Sequence, residues 1–184
     1  MIDLHTHSHH SDGLDSPREL VQNAKVAGVT VLGICDHDSI AGWEEATVAA
    51  AANEIGLIPG IEVSTHSVNQ SGRRISVHVL AYLPDPSYEP LFQALERTKE
   101  SRVTRAQRMT DALAKDYPIT WEDVVFGLAP NATIGRPALA DALVRKGIVP
   151  NRSAAFESIL SSKSKYYISE HTLNTAEAVR LIRQ

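Results

Sequence analysis

A single cysteine, Cys35, is present in 184 residues, which excludes an intramolecular disulfide and any zinc module built on paired thiolates. Positive charge is not in excess either. Eighteen Lys and Arg against 22 Asp and Glu leave a formal charge of −4, so no chain-wide basic field addresses duplex nucleic acid or an anionic membrane. An anionic substrate therefore has to be gripped locally. No stretch approaches the ~18 apolar residues of a membrane span, and the start Met1-Ile2-Asp3-Leu4-His5 lacks the basic and apolar segments of a leader. A cytoplasmic location, with no membrane and no protein partner, is the expectation. What remains is ordinary globular composition, enough for about one domain of ~150 residues with an appendage. Histidine alone is out of proportion: there are eight, and His5, His7, His9 and His10 fall within one short stretch.

Residues 1–7 alternate with the period of a strand, which puts Asp3, His5 and His7 on one face. Ser16, Pro17 and Glu19 form a helix start of the capping-box type, and Gly28 ends that helix. Val29 to Cys35 is an apolar, β-branched run with Cys35 as a buried small hydrophobe, stopping abruptly at Asp36-His37-Asp38. A second helix covers about Gly42 to Ile55, and a third strand, Leu57 to Val63, carries Glu62 near its end. This order predicts right-handed α/β winding. Val63 to Val68 and Arg74 to Tyr82 flank the turn sequence Asn69-Gln70-Ser71-Gly72, so a hairpin is expected. Centred on Gln70, it would set Glu62 opposite His78.

Ligand-type side chains thus recur at strand ends, where α/β folds build their sites. Imidazole and carboxylate without thiolate suit Zn, Mn or Fe in an open site that keeps water bound, and two ions can clamp a displacement at phosphorus. His9, His10, His66 and His171 are not assigned. Asp12 alone also admits an Asx turn before Gly13, and Asp38 a cap for the following helix.

The motifs Asp3-Leu4-His5-Thr6-His7, Ser11-Asp12-Gly13, Asp36-His37-Asp38, Gly60-Ile61-Glu62 and Val77-His78 resemble, in order and spacing, those of the PHP (polymerase and histidinol phosphatase) superfamily of metal-dependent phosphoesterases. The resemblance is to its nucleoside 3′,5′-bisphosphate phosphatase and 5′–3′ exoribonuclease branch. It implies an α/β fold, a distorted (β/α)7 barrel that is incomplete here. Residues 1–87 would be its N-terminal part, 88–168 a helical insertion serving as a substrate cap, and 169–184 the return to the barrel. It also implies His5, His7, Asp12, His37, Glu62 and His78 as catalytic metal ligands for two or three divalent ions, Mn, Fe or Zn with Mg also admissible, and Glu62 as a bridge between ions.

Within the insertion, Pro90 to about Lys115 is helical, Thr120 and Asp123 offer a cap, and Ile134-Gly135-Arg136-Pro137 opens a helix that ends at Gly147. A helix N-terminus with a guanidinium makes a phosphate site. With the family's Gly-Arg-Pro motif, this makes Arg102 and Arg136 the substrate-binding candidates. Ala138 stands where the family often has His. The family's later Ala-His-Pro and Asp-x-His ligands lie outside these residues, and the helix begun near Thr175 carries no stop signal, so a fragment of a longer protein is expected.

The activity implied is hydrolysis of a phosphate monoester by metal-activated water. The substrate would be a nucleoside 3′,5′-bisphosphate or the 5′ end of a short single-stranded RNA, not a duplex. A histidinol-phosphate-type phosphatase and a non-catalytic metal-binding module are the alternatives.

Overall fold

The computed structural model describes residues 1–129 and 132–184. The strands are β1 (Ile2–Thr6), β2 (Val31–Ile34), β3 (Gly56–Val68), β4 (Arg74–Tyr82) and β5 (Leu173–Asn174). The helices are α1 (Pro17–Val26), α2 (Trp43–Ala52), α3 (Glu89–Leu113), α4 (Trp121–Val125), α5 (Arg136–Arg145), α6 (Arg152–Glu157) and α7 (Thr175–Ile182). None of these helices is long and apolar enough to cross a membrane.

The chain divides into two compact units. The first comprises Met1–Lys99, the stretch around Thr133, and Thr172–Gln184. Its sheet runs β1-β2-β3-β4, with β5 also on β3. The pairs β1/β2, β2/β3 and β3/β5 are parallel, and β3/β4 is antiparallel. This is an α/β fold with the parallel-strand sheet of an incomplete (β/α) barrel. Apolar side chains of α1, α2 and the buried face of β2, among them Val21, Ile34, Ala46 and Ala50, pack into one cluster. Ile61, Val63, Ala81, Leu91, Leu95 and Ala178 form a second. β1 lies at the sheet edge, and its Ile2 and Leu4 are exposed.

Local chemistry sets the element starts. Ser16 caps α1 in a reciprocal box with Glu19, and Thr120 does the same for α4 with Asp123. Beyond α1 the chain turns through Gly28 at φ 80°, a left-handed conformation that glycine adopts without steric cost.

Two boundaries depart from the sequence reading. β3 is one continuous strand of 13 residues that serves first as a parallel barrel strand and then as a hairpin arm, where the sequence suggested two runs meeting at Val63. The hairpin is centred one residue later than Gln70. Asn69 Oδ1 accepts from the N–H groups of Ser71 and Arg73, and Gly72 takes a positive φ, which closes a longer loop. Ser64, not Glu62, therefore pairs with His78, and Glu62 pairs with Leu80.

The second unit, Glu100–Leu128 with Ile134–His171, is helical. Met109, Leu113, Leu139, Leu143 and Leu160, all fully buried, form its core.

Candidate metal centre

The strand ends of the first unit supply six side chains to one locality. β1 delivers His5 and the residue after it delivers His7, two apart and hence on one face. The backbone past β2 continues alongside β3 far enough for His37 to bridge to Glu62, with Glu62 N–H donating to Asp36 O and Asp38 N–H donating to Glu62 O. Asp38 turns there at φ 52°, a conformation more accessible to Asp than to most residues, and its Oδ1 accepts from Ser64 N–H. Asp38 thus closes the β3 contact and does not act as a cap for α2, whose N-cap Gly42 has no side-chain bond.

Glu62 is the hub. Its Oε2 lies 2.7 Å from His5 Nε2, 3.0 Å from His7 Nε2 and 3.8 Å from His37 Nε2, while Oε1 lies 2.6 Å from His78 Nδ1. Asp12 approaches from the loop after β1, at 3.5 Å from His7 Nδ1 and 3.7 Å from His37 Nε2. The Glu62 side chain is only 8% exposed, so its charge is shielded from bulk water and depends on these neighbours. Burial disfavours its anion, yet hydrogen bonds with His7 and His78 outweigh burial and hold the carboxyl far below the usual carboxylate range. Asp12 is likewise lowered, with burial opposing and the contact with His37 prevailing. Burial works against the charged ring of His7, but Glu62 and Asp12 raise its pKa above the ordinary value.

Three sets of ligand atoms lie within 4.8 Å of one another: His5, His7 and Glu62; His7, Asp12 and His37; and His37, Glu62 and His78. The geometry fits cations. Two ligands each ~2.1 Å from a common ion and at right angles to each other lie about 3 Å apart. His5 Nε2 and His7 Nε2 are 3.1 Å apart and share Glu62 Oε2. Two bare imidazole nitrogens at that distance need a proton or a cation between them.

The surrounding shell orients these groups. Asp36, 1% exposed, accepts from Ser8 N–H, Ser8 Oγ–H and Ser11 Oγ–H. With its proton on Asp36, Ser11 Oγ can accept from His7 Nδ1–H at 3.2 Å, which turns His7 Nε2 toward Glu62. Gly13 has a steric reason in the same loop: a Cβ there would fall 2.2 Å from His7 O. Thr133 donates its hydroxyl to His37 O and its N–H to His10 O, tying the two ligand-bearing loops together. The sequence signalled Asp36 as part of a polar strand end. Its role as a buried acceptor for Ser8 and Ser11 depends on contacts 28 and 25 residues apart in the chain.

Among the described residues, His9, His10, His66 and His171 belong to none of the three sets. The rings of His9 and His10 meet edge to face at 4.8 Å.

Arg102 and Arg136 lie in the second unit. Arg102, 7% exposed, contacts Glu170 at 2.8 Å, and Arg105 contacts the same carboxylate at 3.0 Å. Arg136 donates to Leu160 O and lies over the rings of Phe156 and Tyr167 at 5.3 and 5.6 Å. A Cβ at Gly135 would come within 3.4 Å of Arg102 Nη1, so one guanidinium adjoins the start of α5. Nothing in the spacing of Glu170 announced it as the partner of two arginines.

Comparison with known proteins agrees with this geometry. The PHP domain family model matches residues 3–167. A 5′–3′ exoribonuclease of Haemophilus influenzae is 36% identical over 190 residues, covering 98% of this chain and 64% of that protein. A 3′,5′-nucleoside bisphosphate phosphatase of Chromobacterium violaceum is 31% identical, covering 97% and 61%. The crystal structure of a protein assigned as a metal-dependent phosphoesterase from Bifidobacterium adolescentis superimposes with a TM-score of 0.92 at 40% identity, covering 98% of this chain and 62% of that one. The chain thus spans about three fifths of the length of these relatives.

Proposed function

The chain belongs to the PHP domain family, and from that premise we propose that it carries the metal centre of a hydrolase acting on phosphate monoesters of nucleoside 3′,5′-bisphosphates or of short RNA 5′ ends. The observation that carries this reading is Glu62, a nearly buried carboxylate whose two oxygens face different imidazoles. In this reading His5, His7, Asp12, His37, Glu62 and His78 hold two or more divalent ions.

When bound, such ions supply Lewis acidity, activating water and neutralising charge that develops at phosphorus. The protein supplies the arrangement. His7 presents Nε2 because Ser11 Oγ accepts a hydrogen bond from Nδ1–H, and Glu62 offers one oxygen to each side of the cluster. Asp36 holds Ser8 and Ser11 in place through three hydrogen bonds. In the second unit, Arg102, Arg136 and the first N–H groups of α5 form a phosphate-binding set, with Arg102 and Arg105 sharing Glu170 and Arg136 held at Leu160 O.

The test is release of inorganic phosphate from a nucleoside 3′,5′-bisphosphate with Mn present, alongside elemental analysis after dialysis. Phosphate release with two or more ions per chain, both lost in Glu62→Gln, is the expected result. Release that survives chelation would overturn the reading.

A further inference from the structure

The face of the β3–β4 hairpin that carries Glu62 and His78 does not end with them. Directly paired residues of an antiparallel ladder share a face, and so do residues two apart along each strand. The pairs Glu62 with Leu80, Ser64 with His78, His66 with Ser76, and Val68 with Arg74 therefore form one continuous strip toward the hairpin tip. Glu62 and His78 touch across a diagonal of this ladder at 2.6 Å. Four residues farther out, the same diagonal brings Arg74 Nη2 to 3.0 Å from His66 Nδ1.

Three features of this outer position point to an anion. The first is charge: no Asp or Glu occurs between Glu62 and Asp85, while Arg73 and Arg74 sit at the tip of a chain that is acidic as a whole. Among the described residues no carboxylate forms an ion pair with either arginine.

The second is an imbalance of donors. Thr172 O lies 3.0 Å from His66 Nδ1, and Thr172 Oγ1 lies 3.3 Å from both His66 Nδ1 and Arg74 Nη2. The carbonyl requires a proton on Nδ1, whereas the guanidinium requires a lone pair there, so one ring nitrogen cannot serve both. An oxyanion at this point would accept from Arg74 and from the Thr172 hydroxyl, leaving His66 Nδ1–H to the carbonyl. The third is access, since Arg74 is exposed and His66 partly so.

Resting on the phosphoesterase reading above, we propose that His66, Arg74 and Thr172 form a subsite for a backbone phosphate of single-stranded RNA, downstream of the 5′ end seated at the centre. At ~3.4 Å per residue, His66 lies about 14 Å along β3 from Glu62. That is farther than the two phosphates of a single nucleotide can span, so one nucleotide cannot occupy both places. A strand whose 5′ end sits at Glu62 reaches the outer position with a later phosphate. The net charge of −4 does not oppose this, because a single strand tracked by a few contacts needs only a local basic path.

The experiment compares the full chain with Arg74→Ala and Arg74→Lys in the presence of Mn. Fluorescence anisotropy reads binding of a 5′-phosphorylated RNA of about eight nucleotides carrying a 3′ fluorophore. Isothermal titration reads binding of adenosine 3′,5′-bisphosphate separately. Arg74→Ala is expected to weaken the oligonucleotide about 5- to 20-fold at low salt and to reduce the slope of log affinity against log salt by about 1, with Arg74→Lys restoring much of both. Bisphosphate binding stays unchanged.

Wild-type binding of both ligands with no effect of Arg74→Ala on the oligonucleotide overturns the inference and leaves the phosphoesterase reading standing. Equal weakening of both ligands also overturns it, since Arg74 would then act through the stability of the hairpin or the centre. A wild-type chain that binds neither ligand removes the phosphoesterase reading, and this inference falls with it.

Discussion

The ring of His7 is joined to the buried carboxylate of Asp36 through one hydroxyl, that of Ser11, with contacts of 3.2 and 2.7 Å. The direction of the two hydrogen bonds follows from the acceptor-only nature of the carboxylate: Ser11 donates to Asp36 and receives from His7 Nδ1. A residue outside the cluster thus helps to orient a ring at its heart.

Removing the hydroxyl should free the ring to change tautomer and orientation. Ser11→Ala is expected to lower divalent-ion affinity by roughly 10- to 100-fold while the fold persists. Competitive titration against a metal-sensitive dye, with circular dichroism alongside, checks both parts. Unchanged affinity would show that Ser11 does not orient His7.

Gly13 allows the loop bearing Asp12 to lie against the backbone of His7, where a Cβ would meet His7 O at 2.2 Å. Because the obstructing atoms are backbone, relief requires the loop to move. Gly13→Ala should cost ~1–3 kcal/mol of stability, in the range of overpacking, and weaken metal uptake through displacement of Asp12. Denaturant unfolding of the metal-free chain measures the first effect and dye titration the second. A stable variant with normal uptake would contradict the packing argument.

Burial, reinforced by the nearby charges of Glu62 and Asp36, pushes the Cys35 thiol up to about 12. At pH 8 only about one thiol in 10⁴ is then ionised, and the thiolate is the reactive form. Cys35 should resist iodoacetamide in the folded chain and react once denaturant is added. Mass spectrometry after timed quenching reads this directly, and rapid labelling under native conditions would refute it.

Asp123 is held below its ordinary pKa by Lys146 first and by Thr120 N–H second. A depressed folded pKa contributes stability that is present above the unfolded value and lost as pH falls through the folded one. Asp123→Ala should therefore melt below wild type near neutrality, and the gap should close on acidification below the normal Asp range. Thermal scans across that range test the sign. A gap that widens in acid would reverse the assignment.

Features that depend on neighbours in sequence were readable in advance. The capping boxes at Ser16 and Thr120 satisfy helix N–H groups within three residues, so side-chain type and spacing suffice to predict them. The shared face of His5 and His7 follows from strand period alone. The hairpin shows where this stops. Moving its centre by one residue changes every partner by two positions, and since the side-chain period is also two, His78 stays on the face of Glu62 although it pairs with Ser64. A partner shift of one position would have turned it away. His66 and Arg74 carried no signal, because a lone histidine and a lone arginine acquire meaning only when the ladder register sets them side by side.

Residue chemistry and short-range spacing account for the inventory and the local geometry: imidazoles and carboxylates at strand ends, helix starts, and a turn that makes a hairpin. These rest on interactions spanning a few residues, with strengths set by side-chain chemistry. Which of those groups meet is a matter of long-range folding. His5 reaches Glu62 across 57 residues of chain, and Ser8 reaches Asp36 across 28. Such contacts arise from sheet order, register and packing, so the distinction between Glu62 as the centre of the cluster and Asp36 as the buried support behind it appears only once the strands are laid side by side.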